Sequence, residues 1–242
     1  METAPLAQNN LRLELPLKCQ VHEHGHIVLE DFMGSDLDIV NAARVSFNQE
    51  SDSMDDSAKG LINFLMRERH GTPFEMVQFK FDVKAPIFVF REWHRHRIAS
   101  INEQSGRYSK LSKEFYVPDV ADFRTQVGKP GAYSFEPIED PVIVETARSQ
   151  IESHCNSAFS LYESLLDQGI AKEQARIHLP VNTYSRMKWA CNLRGLLNFL
   201  SLRNSPHAMK EIRDYAQLME GLAFLVCPEA IDAFERNGRK CP

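Results

Sequence analysis

Residues 77–107 read VQFKFDVKAPIFVFREWHRHRIASINEQSGR. The first seven alternate: Val77, Phe79, Phe81 and Val83 are apolar, while Gln78, Lys80 and Asp82 are polar. A period of two predicts a strand with one buried face. Pro86 fits the first position of a helix, where its missing N–H is no loss, and IFVFREWHRHR is expected to continue that helix to Arg97. Phe79, Phe81, Phe88 and Phe90 are expected to serve the core. Beyond Arg97 the residues are rich in Ser, Asn and Gly, which predicts loop followed by a short strand.

The same stretch concentrates charge. Between Arg91 and Arg107 stand four arginines and two histidines, in a chain whose 28 basic and 33 acidic side chains give a formal charge of −5. On a helix, Arg91 and Arg95 would share a face and Arg97 would point elsewhere. Arginine suits phosphate because its planar fork donates paired hydrogen bonds and keeps its charge. The SINEQSGR stretch adds hydroxyls, amides and backbone N–H groups that suit a polar ligand. Charge and spacing alone thus point to a phosphorylated small molecule, against the plainer reading of a solvated helix face with weak surface ion pairs.

Working outward, a strand is expected near Cys19–Leu29, and Ser35 with Asp38 forms a capping-box pattern opening a helix through Val45. A second helix is expected from Ser57 to Arg69, stopped by Gly71. A long amphipathic helix from Pro141 to Gln168 is closed by Gly169, and a short one covers Ala171–Ile177. The final third reads as mainly helical, with breaks near Pro180, Pro206 and Pro228. Residues 1–17, polar and carrying two prolines, read as a flexible lead-in, and residues 18–238 as one α+β domain.

The bulk numbers exclude several classes. With 43% hydrophobic and 25% charged residues the chain has an ordinary globular balance. Its acidic excess argues against a nucleic-acid-binding protein. No apolar run approaches the roughly 20 residues that span a bilayer, and the N-terminus lacks the marks of a secretory signal. The five cysteines are scattered, with no CxxC, as in a cytoplasmic protein with reduced thiols.

The segment REWHRHRIASINEQSGRYSKLSKEFY resembles the signature of flavin-dependent thymidylate synthases, in which RHR is followed by seven residues and then Ser. Here the seven are Ile98 to Gln104, and Glu103, Gly106, Arg107 and Tyr108 match as well. Further similar blocks follow in family order: AARVSF (42–47), HGTPFE (70–75), VKAPIFV (83–89), ARIHLP (175–180), NLRGLLNFLSLR (192–203) and SPHAMKEI (205–212). The resemblance runs from about residue 19 to 235. It implies a mixed β-sheet flanked by helices and formation of dTMP from dUMP. The carbon would come from 5,10-methylenetetrahydrofolate and the electrons from NADPH through bound FAD. It also implies a homotetramer with shared active sites and no metal.

Residue by residue, the resemblance places Thr72, Arg95, His96, Arg97, Glu103, Asn192, Leu193, Arg194 and Asn198 at flavin-contacting positions. A helix starting near Asn192 would offer free N–H groups to a dinucleotide. Leu193 and Asn198 are otherwise open to a packing or capping role. The nucleotide would meet Glu92, Trp93, Arg95, Glu103, Gln104, Ser105, Gly106, Arg107, Arg176 and Arg203. Arg203 is the expected catalytic residue, a fixed cation stabilising charge that develops on the pyrimidine. Ser105 is expected to bind and not to attack, since no His–Asp pair can be tied to it. His70 matches the rim of the family's site, where a polar helix terminus is an equal reading.

Two residues depart from the pattern: Glu92, and His94 at a position that is often aromatic, where it reads as a packing substitution. Glu92 stands where the family commonly has glutamine, and a carboxylate would repel a phosphate there. His22, His24 and His26 would share one face of a strand, a ligand-like spacing, although a solvated strand face is the plainer reading. The alternatives are a flavoprotein acting on another nucleotide and an RNA-binding module built on HRHR. Flavin absorbance would separate the enzymes from the module.

Overall fold

A computed structural model describes residues 13–129 and 132–242. Residues 1–12, most of the expected lead-in, lie outside the described residues, whereas Leu13 and Leu15 pack against the core. The architecture is a five-stranded sheet with helices, which agrees with the α+β expectation. Strands β1 (Leu17–Val21), β2 (Gly25–Met33), β3 (Gln78–Pro86), β7 (Tyr184–Asn192) and β4 (Ser100–Glu103) lie in the order β1-β2-β3-β7-β4.

The sheet was expected to be mixed; instead each of its four pairings is antiparallel. The reason lies in the connections. Met33 at the end of β2 sits beside Gln78 at the start of β3, and Pro86 at the end of β3 beside Tyr184 at the start of β7. Each excursion therefore returns the chain to the end it left, and the next strand must run back. The first excursion contains helices α1 (Asp36–Arg44) and α2 (Asp56–Arg67). The second contains α3 (Ile87–Trp93), β4, a separate hairpin of β5 (Arg124–Lys129) and β6 (Ala132–Pro137), α4 (Pro141–Asp167) and α5 (Lys172–Ala175). After β7 come α6 (Leu193–Arg203), α7 (Lys210–Val226) and α8 (Pro228–Arg236).

The alternation along β3 does what a period of two requires: Phe79, Phe81 and Val83 are buried. With Ile27, Leu29, Met187, Trp189 and Cys191 they form the inner face of the sheet, and α6 and α7 supply Leu196, Phe199, Ile212 and Tyr215 to the same core. Trp93, Trp189 and Phe199 pack ring against ring, with Trp93 and Phe199 centroids 4.6 Å apart. A smaller cluster of Leu111, Phe159, Tyr162 and Ala175 forms where α4 meets the 105–116 segment. Cross-strand neighbours on the other face are polar and charged, among them Lys80, Asp82, Lys84, Arg186 and Lys188.

Several expectations shift. The strand near Cys19–Leu29 is a hairpin, because His22 takes a left-handed conformation (φ 52°) and turns the chain. The three histidines consequently do not share a face: His22 lies 3.6 Å from Asp214, His24 sits edge-on to Tyr184, and His26 lies 3.6 Å from Asp82. Among the described residues no group of three His, Cys, Asp or Glu side chains converges to hold a metal ion. Strand β7 interrupts a stretch read as mainly helical, and the β5–β6 hairpin falls where no element was expected. Among the described residues no helix is long and apolar enough to cross a membrane.

Candidate active site

Helix α3 stops at Trp93, four residues before the expected Arg97. The next residues tighten, with His96 N–H donating to the Trp93 carbonyl at 2.9 Å, and the turn drives His96 inward. His96 is 6% exposed and meets Phe199 edge-on at 4.9 Å. Arg91 and Arg95 therefore do not stack along one helix face. Burial outbids the helical pattern here.

The inward His96 is acceptor to Arg203, the last residue of α6: Arg203 Nε donates to His96 Nε2 at 3.0 Å. An imidazole nitrogen that accepts is unprotonated, so the proton of this neutral ring sits on Nδ1. Burial first, and the Arg203 charge second, pull the His96 pKa down to about 4. The Nδ1 atom is itself buried and has no protein partner among the described residues. Arg203 also pairs with the Glu92 carboxylate through Nη1 and donates from Nη2 to the Glu92 carbonyl at 3.1 Å. Its side chain is 17% exposed, so three contacts hold a largely desolvated cation.

Beside this triad, Arg95, His96, Arg97, Ile98, Gly195 and Asn198 line a cavity of about 450 Å³. Gly195 makes the close approach possible, since a Cβ there would lie 2.9 Å from the Ile98 carbonyl oxygen. Asn192 caps α6 by accepting from Gly195 N–H at 2.8 Å. Leu193 is buried and its N–H is taken by the Val77 carbonyl at 2.8 Å, so it serves packing. Trp93 likewise contributes its side chain to the core. Arg194 lies over Gly71, next to Thr72, bonding Glu75 at 2.6 Å and the Pro242 carbonyl at 3.0 Å.

A second group forms further along. Glu103 accepts from Ser185 Oγ at 2.8 Å, with His94 3.7 Å away. Gln104 N–H donates to the Arg186 carbonyl at 2.7 Å. The chain then turns tightly, the Ser105 carbonyl accepting from the N–H of Tyr108 and of Ser109, both at 3.2 Å. Ser105 Oγ accepts from Arg107 N–H at 3.3 Å, and no histidine bonds it. Gly106 is buried beneath Arg176, whose Cδ would lie 3.0 Å from an added Cβ. Arg107 projects to Glu173 at 2.9 Å. The 450 Å³ cavity includes none of Ser105, Gly106, Arg107 or Arg176. His70 is exposed, its ring edge-on to Phe64 at 5.7 Å.

The family described as thymidylate synthase complementing protein matches residues 28–229. A flavin-dependent thymidylate synthase of Thermotoga neapolitana is 42% identical over 93% of this chain and 97% of its own. One from Thermus thermophilus is 44% identical over 93% and 81%. This chain belongs to the flavin-dependent thymidylate synthase family. Among solved structures, the UMP/dUMP methylase PolB of Streptomyces cacaoi bound with 5-Br UMP aligns with a TM-score of 0.83. It is 39% identical, covering 92% of this chain and 99% of that one. The same methylase bound with 5-Br dUMP gives 0.81 and 40%, over 93% and 100%.

A flavin-dependent thymidylate synthase must seat a flavin, and the α6 cavity fits the anionic part of one. It has a buried, unpartnered His96 Nδ1, two exposed arginines in Arg95 and Arg97, and a backbone cradle at Gly195 that a Cβ would fill. Sequence reasoning missed Ser185, Arg186 and Lys188, which border Glu103 and Gln104, and Asp82, which bonds Arg186 and Lys188. The signal was the alternation in YSRMKWACN (184–192), whose odd positions from 187 are buried.

Proposed function

We propose that this chain methylates dUMP to dTMP, with 5,10-methylenetetrahydrofolate as carbon donor and NADPH as reductant through bound FAD. The observation that carries the reading is Arg203, a desolvated guanidinium held by Glu92 and by a neutral His96 at the edge of the α6 cavity. Family membership supports dUMP as substrate, as does the binding of a brominated dUMP by the S. cacaoi methylase.

When bound, the flavin supplies the electrons for the reductive methylation. Arg95, His96, Arg97, Asn198 and the start of α6 hold it, with Thr72 and Arg194 at its margin. Gln104, Ser105, Gly106, Arg107 and Arg176 hold the nucleotide phosphate through guanidinium and backbone donors. Arg203 stabilises the charge that develops on the pyrimidine, and its three contacts keep it preorganised.

No side chain attacks the pyrimidine in this reading. Ser105 has no histidine partner, which supports it. Burial pushes the Cys191 and Cys227 thiols up, away from thiolate. The α6 cavity includes none of Ser105, Gly106, Arg107 or Arg176, which fits a homotetramer whose subunits share active sites. The deciding experiment measures dTMP formation from dUMP, methylenetetrahydrofolate and NADPH, with FAD omitted in one arm. A flavin-loaded protein that forms no dTMP sinks the proposal. A second reading, methylation of UMP, is favoured by the solved relative bound with 5-Br UMP, and the same assay run on UMP decides it.

A further inference from the structure

The charged face of the sheet carries a group that neither the flavin nor the nucleotide assignment uses. Strand register aligns Lys18, Val28, Asp82, Lys188 and Asn102 in one row, with Arg186 in the next. Asp82 is only 2% exposed, because Arg186 and Lys188 close over it. Arg186 Nε donates to both carboxylate oxygens, at 2.8 and 3.0 Å, Nη2 joins it, and Lys188 Nζ reaches Oδ2 at 2.8 Å. Lys188 also meets Glu30. Burial by itself raises the Asp82 carboxyl pKa, but the hydrogen bonds from Arg186 and Lys188 outweigh it and hold the group well below the usual carboxylate range.

These bonds leave Arg186 Nη1 and one N–H of Lys188 without a protein acceptor among the described residues. The two side chains are 54% and 44% exposed. With Met187 they form one wall of a cavity of about 430 Å³, and Asn102, Glu103 and Gln104 form the other. The bond from Gln104 N–H to the Arg186 carbonyl ties that cavity to the Ser105–Arg107 turn. A surface ion pair leaves both partners wet and mobile. Here a buried carboxylate fixes two cations with their remaining donors facing outward, a preorganised anion site.

We propose that Arg186 and Lys188, positioned by Asp82, bind the anionic end of a second substrate that meets the nucleotide from the Asn102–Gln104 side. The inference rests on the function proposed above, under which two anionic molecules visit the site: the folate, with glutamate carboxylates, and NADPH, with phosphates. Both offer the same chemistry to a guanidinium–ammonium pair.

The test is equilibrium binding to the FAD-loaded protein and its Arg186→Gln, Lys188→Gln and Lys188→Arg variants. The probes are mono- and pentaglutamyl tetrahydrofolate, NADPH, NADH and dUMP. Each glutamine variant leaves one cation on Asp82, so the buried carboxylate stays paired. The expected result is a loss of at least about tenfold for one anionic probe, with dUMP affinity and FAD content retained and Lys188→Arg close to wild type. Loss of a preference for pentaglutamate identifies the carboxylates, and loss of a preference for NADPH over NADH the phosphate. Unchanged affinities in both glutamine variants overturn the proposal, as does a parallel loss of dUMP and FAD. Failure of the wild type to form dTMP while these differences persist refutes the proposed reaction and leaves the anion site standing.

Discussion

Arg203 and Glu92, 111 residues apart in sequence, are bound twice over, carboxylate to Nη1 and carbonyl to Nη2. The arginine at the end of α6 is thereby aimed across the end of α3, and His96 takes its remaining edge. Arg203 does not itself line the flavin cavity, so replacing it by Ala removes the cation and leaves the lining side chains in place. The variant is expected to retain FAD absorbance and lose turnover by about a hundred- to a thousandfold, the range for removing one preorganised charge stabiliser. Normal dTMP formation by the flavin-replete variant would sink the catalytic role.

Glu92→Gln keeps the carbonyl bond and an acceptor for Nη1 but removes the negative charge. Because Glu92 is 45% exposed, the pair is screened, and the stability cost is expected to stay at or below about 1 kcal/mol in urea titrations. Glu92 stands beside Arg203, at the pyrimidine end of the proposed nucleotide site. Its carboxylate adds negative charge around an anionic nucleotide, so KM for dUMP should fall by about two- to tenfold. A rise in KM would place Glu92 on the nucleotide as a needed acceptor.

The buried His96 makes stability acid-sensitive. Its folded pKa, about 4, lies below the ordinary 6.5, so the unfolded chain takes up a proton before the folded one. The stabilising term is full above pH 6.5 and is lost as pH falls towards 4, by on the order of 3 kcal/mol. Denaturant midpoints measured across that window should fall more steeply for wild type than for His96→Asn. Parallel slopes would mean that His96 titrates normally.

Two glycines separate the two ligand groups experimentally. A Cβ at Gly195 would lie 2.9 Å from the Ile98 carbonyl, so Gly195→Ala should purify with less flavin. A Cβ at Gly106 would press on Arg176 and Leu111 at 3.0 and 3.2 Å, so Gly106→Ala should raise KM for dUMP several-fold and keep its flavin. Absorbance per protein and KM, measured on both, check the pair; interchange of the two effects would contradict the assignment.

Where local signals agreed, elements were legible. The long helix expected at Pro141–Gln168 is Pro141–Asp167, capped by Asp140, and Pro228 does open the last helix. Strand β7 was not read, although Met187, Trp189 and Cys191 alternate with Arg186, Lys188 and Asn192, because helical segments crowd it on both sides. The hairpin at His22 was not read either: one left-handed residue between two extended runs leaves little compositional trace. In the site, Gly106 and Arg107 stand on the same short turn, so their proximity was visible. That Gly106 supports Arg176, or that Asp82 organises Arg186 and Lys188, was not.

By itself the sequence determined the family, through ordered blocks, and the α+β class, through the periods of its apolar residues. The tertiary structure alone decided that α3 ends before the RHR residues, that His96 is buried and neutral, and that Arg203 is locked to Glu92. The physical reason is one of range. Propensity and capping act over a turn or two of chain, whereas Glu92, His96 and Arg203 meet because a distant helix packs its end against α3.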